Sequence, residues 1–192
     1  MDKPLRADAR RNRDRLLEVA RDAFAQEGVA VPLDEIARRA GVGPGTLYRH
    51  FPTKEALLEA VVHERMRRLV ASAEQLGESG DAGAAFFGFL DHMVREAAPK
   101  RDLVDALIGA GVDVRAAVAE PAARLREETE RLLVRAQHAG AVRPDVTSAD
   151  VMALLSGLLV AVRSAAHPDA VAARMTAVLL DGLRDRPGPR VP

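Results

Sequence analysis

The chain has 192 residues, 28 Lys/Arg against 28 Asp/Glu, and no cysteine. That length admits one large domain or a small domain fused to a medium one, and it can bury a real core. The missing cysteines exclude disulfides, thiolate nucleophiles and cysteine metal sites, and a net charge of zero means that affinity for nucleic acid has to come from local charge rather than the total.

The charge is unevenly spread. Residues 1–54 hold 11 Lys/Arg and 8 Asp/Glu, a balance of +3, which leaves 17 and 20, or −3, for the rest. The bias is strongest at the front, where Lys3, Arg6, Arg10, Arg11, Arg13 and Arg15 face Asp2, Asp8 and Asp14. No apolar run approaches the roughly 18 to 20 residues that span a bilayer, and the charged N-terminus lacks the apolar core of a secretion signal. A cytoplasmic protein with no membrane partner is expected.

Strand signals are nearly absent, and Ala, Leu, Arg and Glu recur at helical spacing, so the fold class expected is all-α. The first helix is expected from about Arg10 to Gln26, with Leu16, Ala20 and Phe24 on one face and Gly28 as its stop. Two short helices follow, about Leu33 to Ala40 and Pro44 to His50, the second closed by Phe51-Pro52. Thr53 reads as the N-cap of a long helix to about Leu76, broken by Gly77 to Gly80. An apolar helix after Asp81 carries Phe86, Phe87, Leu90 and Met93, and Pro99 separates it from a short segment, about Arg101 to Ile108. A longer helix starts at Val114 or at Pro121 and runs to Gln137. Thr147 or Ser148 caps the next, whose apolar stretch Val151 to Val162 is interrupted only by Ser156 and Gly157, and His167-Pro168-Asp169 opens the last. Those two final helices suit half of an intermolecular four-helix bundle, or else close the monomer's own core. The expected organisation is a head over 1–52 with a basic N-terminal arm, a helical body over 53–186, and a disordered tail over 187–192.

The informative stretch is Leu33 to Phe51, two short helices across a tight turn at Gly41, which is a helix-turn-helix pattern. Ala37 is small enough for a close helix crossing, Gly41 can take the positive φ of the turn, and Ile36, Val42 and Leu47 point inward. Pro44, Thr46, Tyr48, Arg49 and His50 are left outside, a set suited to base edges and phosphates. The run Ala40-Gly-Val-Gly-Pro-Gly-Thr-Leu-Tyr-Arg-His-Phe-Pro-Thr-Lys-Glu-Ala-Leu-Leu58, after Phe24, Gly28 and Ile36-Ala37, resembles the tetracycline-repressor (TetR) family over about residues 10 to 60.

The resemblance implies that Pro44 and Thr46 meet the major groove with Arg49 contributing, and that Tyr48, His50 and Lys54 hold the DNA backbone. Arg6, Arg10, Arg11 and Arg13 would add contacts through a mobile arm. It further implies a homodimer joined through the last two helices, a pseudo-palindromic double-stranded operator, and repression relieved by an unidentified small-molecule effector. The same fold also serves activators, and a helical small-molecule-binding protein with a vestigial head is the reading from another class. Pro32 and Gly43 depart from the family, which often has a hydroxyl at each position, so two phosphate contacts are expected to be missing. The effector pocket is expected in the body, lined by His63, Met66, Phe86, Phe89, Met93, Leu103, Leu107 and Met152. The three Phe of 86–89 are otherwise core, with Phe86 or Phe89 inward beside Leu90 and Met93, and Phe87 against another helix.

No catalytic constellation, metal site or cofactor motif is expected. His63-Glu-Arg-Met-Arg67 lacks the second histidine of a zinc pair, and His92 with Glu96 lacks a third ligand.

Overall fold

Helix-forming residues at three- and four-residue spacing dominate the chain, and capping residues and prolines set where each helix begins. A computed structural model describes residues 3–97 and 101–185. They form α1 (Lys3–Glu27), α2 (Leu33–Arg39), α3 (Pro44–His50), α4 (Lys54–Gly77), α5 (Ala82–Ala97), α6 (Arg101–Gly109), α7 (Val114–Ala117), α8 (Ala119–His138), α9 (Ser148–Arg163) and α10 (Pro168–Leu183). The fold is all-α, and the one extended pairing among the described residues is an isolated antiparallel bridge between Val142 and Arg184. Among the described residues no helix is long and apolar enough to cross a membrane.

The caps expected from sequence form. Thr53 Oγ1 accepts from the Ala56 amide at 3.1 Å and opens α4; α5 has a cap that the sequence reading does not name, Asp81 Oδ1, which accepts from the Ala84 amide at 2.8 Å. Of the two residues proposed to cap α9, Thr147 does so, in a reciprocal capping box with Asp150. Two bounds differ. α1 begins at Lys3, not Arg10, because Pro4 lies in its first turn, where no amide donor is needed, and Asp8 pairs with Arg11 one turn on. The arginines expected on a mobile arm thus stand on a regular helix. The helix placed from Val114 or Pro121 is divided at Val118, whose φ of −109° and ψ of 9° leave the helical region, so α8 starts at Ala119. Pro99 and the tail over 187–192 lie outside the described residues.

The chain divides into two compact units, one of Met1–Met66 with Lys100–Ala119 and the other of Arg67–Pro99 with Glu120–Pro192. The first does not end at Pro52. Leu57, Leu58, Val61 and Val62 of α4 join Leu16, Phe24, Ile36 and Leu47 in one buried core, and Leu103 and Leu107 of α6 complete it from far along the chain. Ala106, Val112, Val114 and Val118 pack against the same core.

In the second unit, Phe86, Phe89, Leu90, Leu132, Leu133 and Val151 are fully buried. Phe86 and Phe89 both face inward, three residues apart on α5, and the buried Phe87 carries the guanidinium of Arg184 4.6 Å from its ring centre. Gly83 is where α5 comes closest to the loop after α8: a Cβ there would lie 2.7 Å from the Ala141 methyl. Arg135 of α8 donates to the carbonyls of Gly77 and Ser79, closing the C-terminal end of α4 with a cation.

If α6 is part of the first unit's core, Leu107→Ala should cost about 2 to 5 kcal/mol in denaturant unfolding. Amide exchange should then accelerate in α1 to α3, more than fifty residues away in sequence, whereas Leu107→Met should leave both close to wild type.

Candidate nucleic-acid interface

The surface formed by α2 and α3 depends on a turn of four residues. α2 closes at Ala40, and Gly41 takes φ +65°, a left-handed conformation that favours glycine. The Gly41 amide donates to Arg38 at 3.1 Å and the Val42 amide to Ala37 at 3.0 Å. Gly43 is extended, and Pro44 starts α3 with its ring already set for a helix. Neither Pro32 nor Gly43 provides a side-chain cap, as the sequence implied, yet both helices form. Ile36 and Ala37 of α2 and Leu47 of α3 are buried, and this fixes which side of α3 turns outward.

The outward side carries most of the set expected from sequence. Pro44, Tyr48 and Arg49 are exposed, while Thr46, His50 and Lys54 are half-buried. Tyr48 is 45% exposed, unusual for a large side chain with one polar atom. Pro44 and Tyr48 lie one turn apart on one side of α3 and Thr46 and His50 one turn apart on the other, with Arg49 between the two pairs opposite the buried Leu47, and Lys54 follows in the first turn of α4. Arg49 and Lys54 make no salt bridge to any described residue, and their charges remain available to a phosphate.

Other cations of this unit are occupied. Glu35 accepts from Arg38 Nε at 2.8 Å and Nη2 at 2.7 Å, and from Arg39 Nε at 2.7 Å. Arg39 also reaches back to Glu27 at the end of α1, with Nη2 3.0 Å from Oε2. Hydrogen bonds from Arg38 and then Arg39 hold the Glu35 carboxyl down at about 2, and Arg39 likewise lowers Glu27. The network ties the end of α1 to α2. Arg13, expected on the arm, instead stacks over the Phe51 ring at 5.5 Å, and the His50 ring lies on that same phenylalanine at 6.2 Å. Arg11 pairs with Asp8, and the Arg6 side chain lies outside the described ones.

Sequence reading missed these partners, although Glu35, Arg38 and Arg39 stand at the three- and four-residue spacing that pairs charges on a helix. It also missed Asp34, whose Oδ1 accepts from the Tyr48 hydroxyl at 3.3 Å. That contact has no spacing rule to reveal it, since it crosses from α2 to α3. The Asp34 charge beside the phenol, together with partial burial and the hydrogen bond itself, raises the Tyr48 pKa above its ordinary value.

The residues expected to line an effector pocket do not share one unit. His63, Met66, Leu103 and Leu107 belong to the first, where both leucines serve the core, and Phe86, Phe89, Met93 and Met152 belong to the second. The second unit also presents an apolar outer face on α9 and α10, with Leu154 49%, Val160 51% and Val178 74% exposed. An open cleft of about 940 Å³ lies on this face, floored by Leu158, Met175 and Leu179 and edged by Asp150 and Arg174. Among the described residues no three potential metal ligands come together.

Comparison with known proteins matches both units. Residues 16–61 fit the family model of bacterial regulatory proteins of the tetR family, and residues 81–185 fit that of the SbtR-like transcriptional regulator C-terminal domain. The HTH-type transcriptional regulator UidR of Escherichia coli is 28% identical over 165 residues, 80% of this chain and 81% of its own. A TetR transcription regulatory protein from Mycobacterium vanbaalenii is 49% identical, with a TM-score of 0.78 over 94% of this chain and 99% of that one. RolR, solved with resorcinol, is 26% identical, with a TM-score of 0.57 over 94% of this chain and 91% of its own.

The Glu35 network gives a pH test. A carboxyl held below its unfolded value of 4.5 stabilises the fold above that pH and loses its contribution as pH falls toward 2. The difference in unfolding midpoint between wild type and Glu35→Gln should therefore be constant above about pH 5.5 and close progressively below about pH 4.5.

Proposed function

Because the chain belongs to the TetR family of transcriptional regulators, which bind DNA through a helix-turn-helix head, we propose that it is a homodimeric repressor that reads a pseudo-palindromic operator and leaves it when a small molecule binds. The observation that carries this reading is the strip on α3. Tyr48 and Arg49 project to solvent from a helix anchored by Leu47, with Lys54 alongside on α4. Pro44, Thr46 and Arg49 address base edges in the major groove, and Tyr48, His50 and Lys54 address phosphates, through a phenol, an imidazole and an ammonium that can all donate to oxygen. Work on DNA assigns the protein to the cytoplasm.

Dimerisation through α9 and α10 is supported by their outer face. Leu154, Val160 and Val178 leave apolar area that a second copy would remove from water, and an isologous interface fixes the spacing of two recognition helices on two half-sites. Release is supported by how the first unit is assembled. α4 contributes to the core beneath α3 and continues into the other unit, and α6 contributes Leu103 and Leu107 to that same core. An effector held by the body near Phe86, Phe89, Met93 and Met152, and displacing either helix, would disturb the seating of α3. A coupling of about 1 to 3 kcal/mol changes operator occupancy 5- to 150-fold. RolR, which shares this fold and was solved with resorcinol, supports a small aromatic or amphipathic effector as the class to screen first.

Selection of the purified protein against random duplex DNA should return a palindromic site, and repression is then read from a reporter placed behind that site; failure to enrich any sequence, with the protein folded and dimeric, would sink the operator reading. On the selected duplex, Tyr48→Phe and Lys54→Ala should each weaken binding, and Lys54→Ala, which removes a cation, should also reduce the slope of log affinity against log salt by about one. Val178→Asp should convert the dimer to monomer in sedimentation, and operator binding should fall with it.

A further inference from the structure

Asp34 is hydrogen-bonded to the Tyr48 hydroxyl on the DNA-facing side of α3, and among the described residues no cation is paired with it. Its neighbour Glu35 is held by Arg38 and Arg39, whereas Asp34 makes no ion pair among the described residues and its partner is the neutral hydroxyl of Tyr48. It is exposed in the first turn of α2. A phenol has one hydrogen to give. While that hydrogen points at Asp34 Oδ1, the Tyr48 oxygen can only offer lone pairs to an approaching phosphate, and the carboxylate behind it adds a second negative charge.

We propose that Asp34 is an affinity-limiting residue that occupies the Tyr48 hydroxyl in place of a DNA phosphate, so that docking has to exchange one anion for the other. The exchange penalises every duplex equally, because phosphates carry no sequence. Operator and random DNA are weakened by the same factor, so the ratio between them is kept, and only a site with the base-edge contacts of Pro44, Thr46 and Arg49 has the affinity left to stay occupied. The device fits a chain whose head carries a balance of only +3 and whose strip relies on few cations: nonspecific attraction is weak already, and Asp34 weakens it where the backbone would first touch. The contact itself needs no help from DNA, since the carboxylate is positioned by α2 and the phenol by α3, and Gly41 and the buried Ile36–Leu47 side hold those two helices together.

The inference rests on the reading that Tyr48 faces phosphate, and the two are separable. Asp34→Asn keeps the size of the side chain and removes the charge; Asp34→Ser serves as the second variant, and thermal melts verify that both are folded. On a random-sequence duplex at fixed salt, each should bind about tenfold more tightly than wild type, equivalent to ~1.4 kcal/mol. Binding to the selected operator should gain by the same factor, and in a Tyr48→Phe background the gain should shrink on both. Tyr48 is the only tyrosine and there is no tryptophan, so ultraviolet titration of the phenol reports this contact alone; its pKa should fall toward the ordinary value in Asp34→Asn. Unchanged or weaker random-duplex binding in both variants, or an equal gain with and without the Tyr48 hydroxyl, overturns the proposal. If instead Tyr48→Phe alone leaves affinity untouched, the phosphate reading of Tyr48 has failed first and Asp34 falls with it.

Discussion

Everything on the DNA-facing surface depends on the burial of Leu47. α2 and α3 have seven residues each, well short of the roughly 12 to 15 at which an isolated helix becomes even marginal in water. Neither carries a side-chain N-cap, and each opens after a residue, Pro32 or Gly43, that has no hydroxyl to offer. Their shape is imposed by tertiary packing: Leu47 from one side, Ile36 and Ala37 from the other, against Leu16 and Phe24 of α1 and Leu57 of α4. Rotating α3 by one residue, about 100°, would expose Leu47 and bury Tyr48 or Thr46, so the choice of which residues face solvent is a by-product of which one is apolar.

The same dependence extends the head along the chain. A core assembled only from 1–52 would be small, and small cores stabilise poorly. Here the deficit is met by the first half of α4 and by α6, so residues far beyond α3 in sequence complete the core on which it sits.

Much of this was legible in the sequence, and for identifiable reasons. Helix existence followed periodicity, and two of the ends followed caps that form as expected, at Thr53 and Thr147. The positive φ of Gly41 and the inward side of α2 and α3 followed from residue size alone. What escaped was non-local. Leu103 and Leu107 read as body residues because nothing in their spacing says which core they enter, and apolar spacing gives a direction without a destination. α1 extends seven residues before the expected start at Arg10, because the apolar spacing that marks a helix begins only at Leu16, and the Asp8–Arg11 pairing that favours helix before it is worth only a few tenths of a kcal/mol. The contact of Asp34 with Tyr48 requires two helices to be placed before it exists at all.

Charge shows why placement matters more than quantity in this head. Of its basic residues, Arg38 and Arg39 are bound to Glu35 and Glu27, Arg11 to Asp8, and Arg13 lies on Phe51. What remains near α3 is Arg49 and Lys54, with His50 beside them. Arg39, paired with both Glu27 and Glu35, ties the end of α1 to α2 and hence to the floor on which α3 sits. Long-range attraction scales with the number of uncommitted cations, whereas discrimination between base pairs scales with how accurately a few side chains are held. A head of balance +3 that spends its arginines on internal order is built toward the second at the expense of the first.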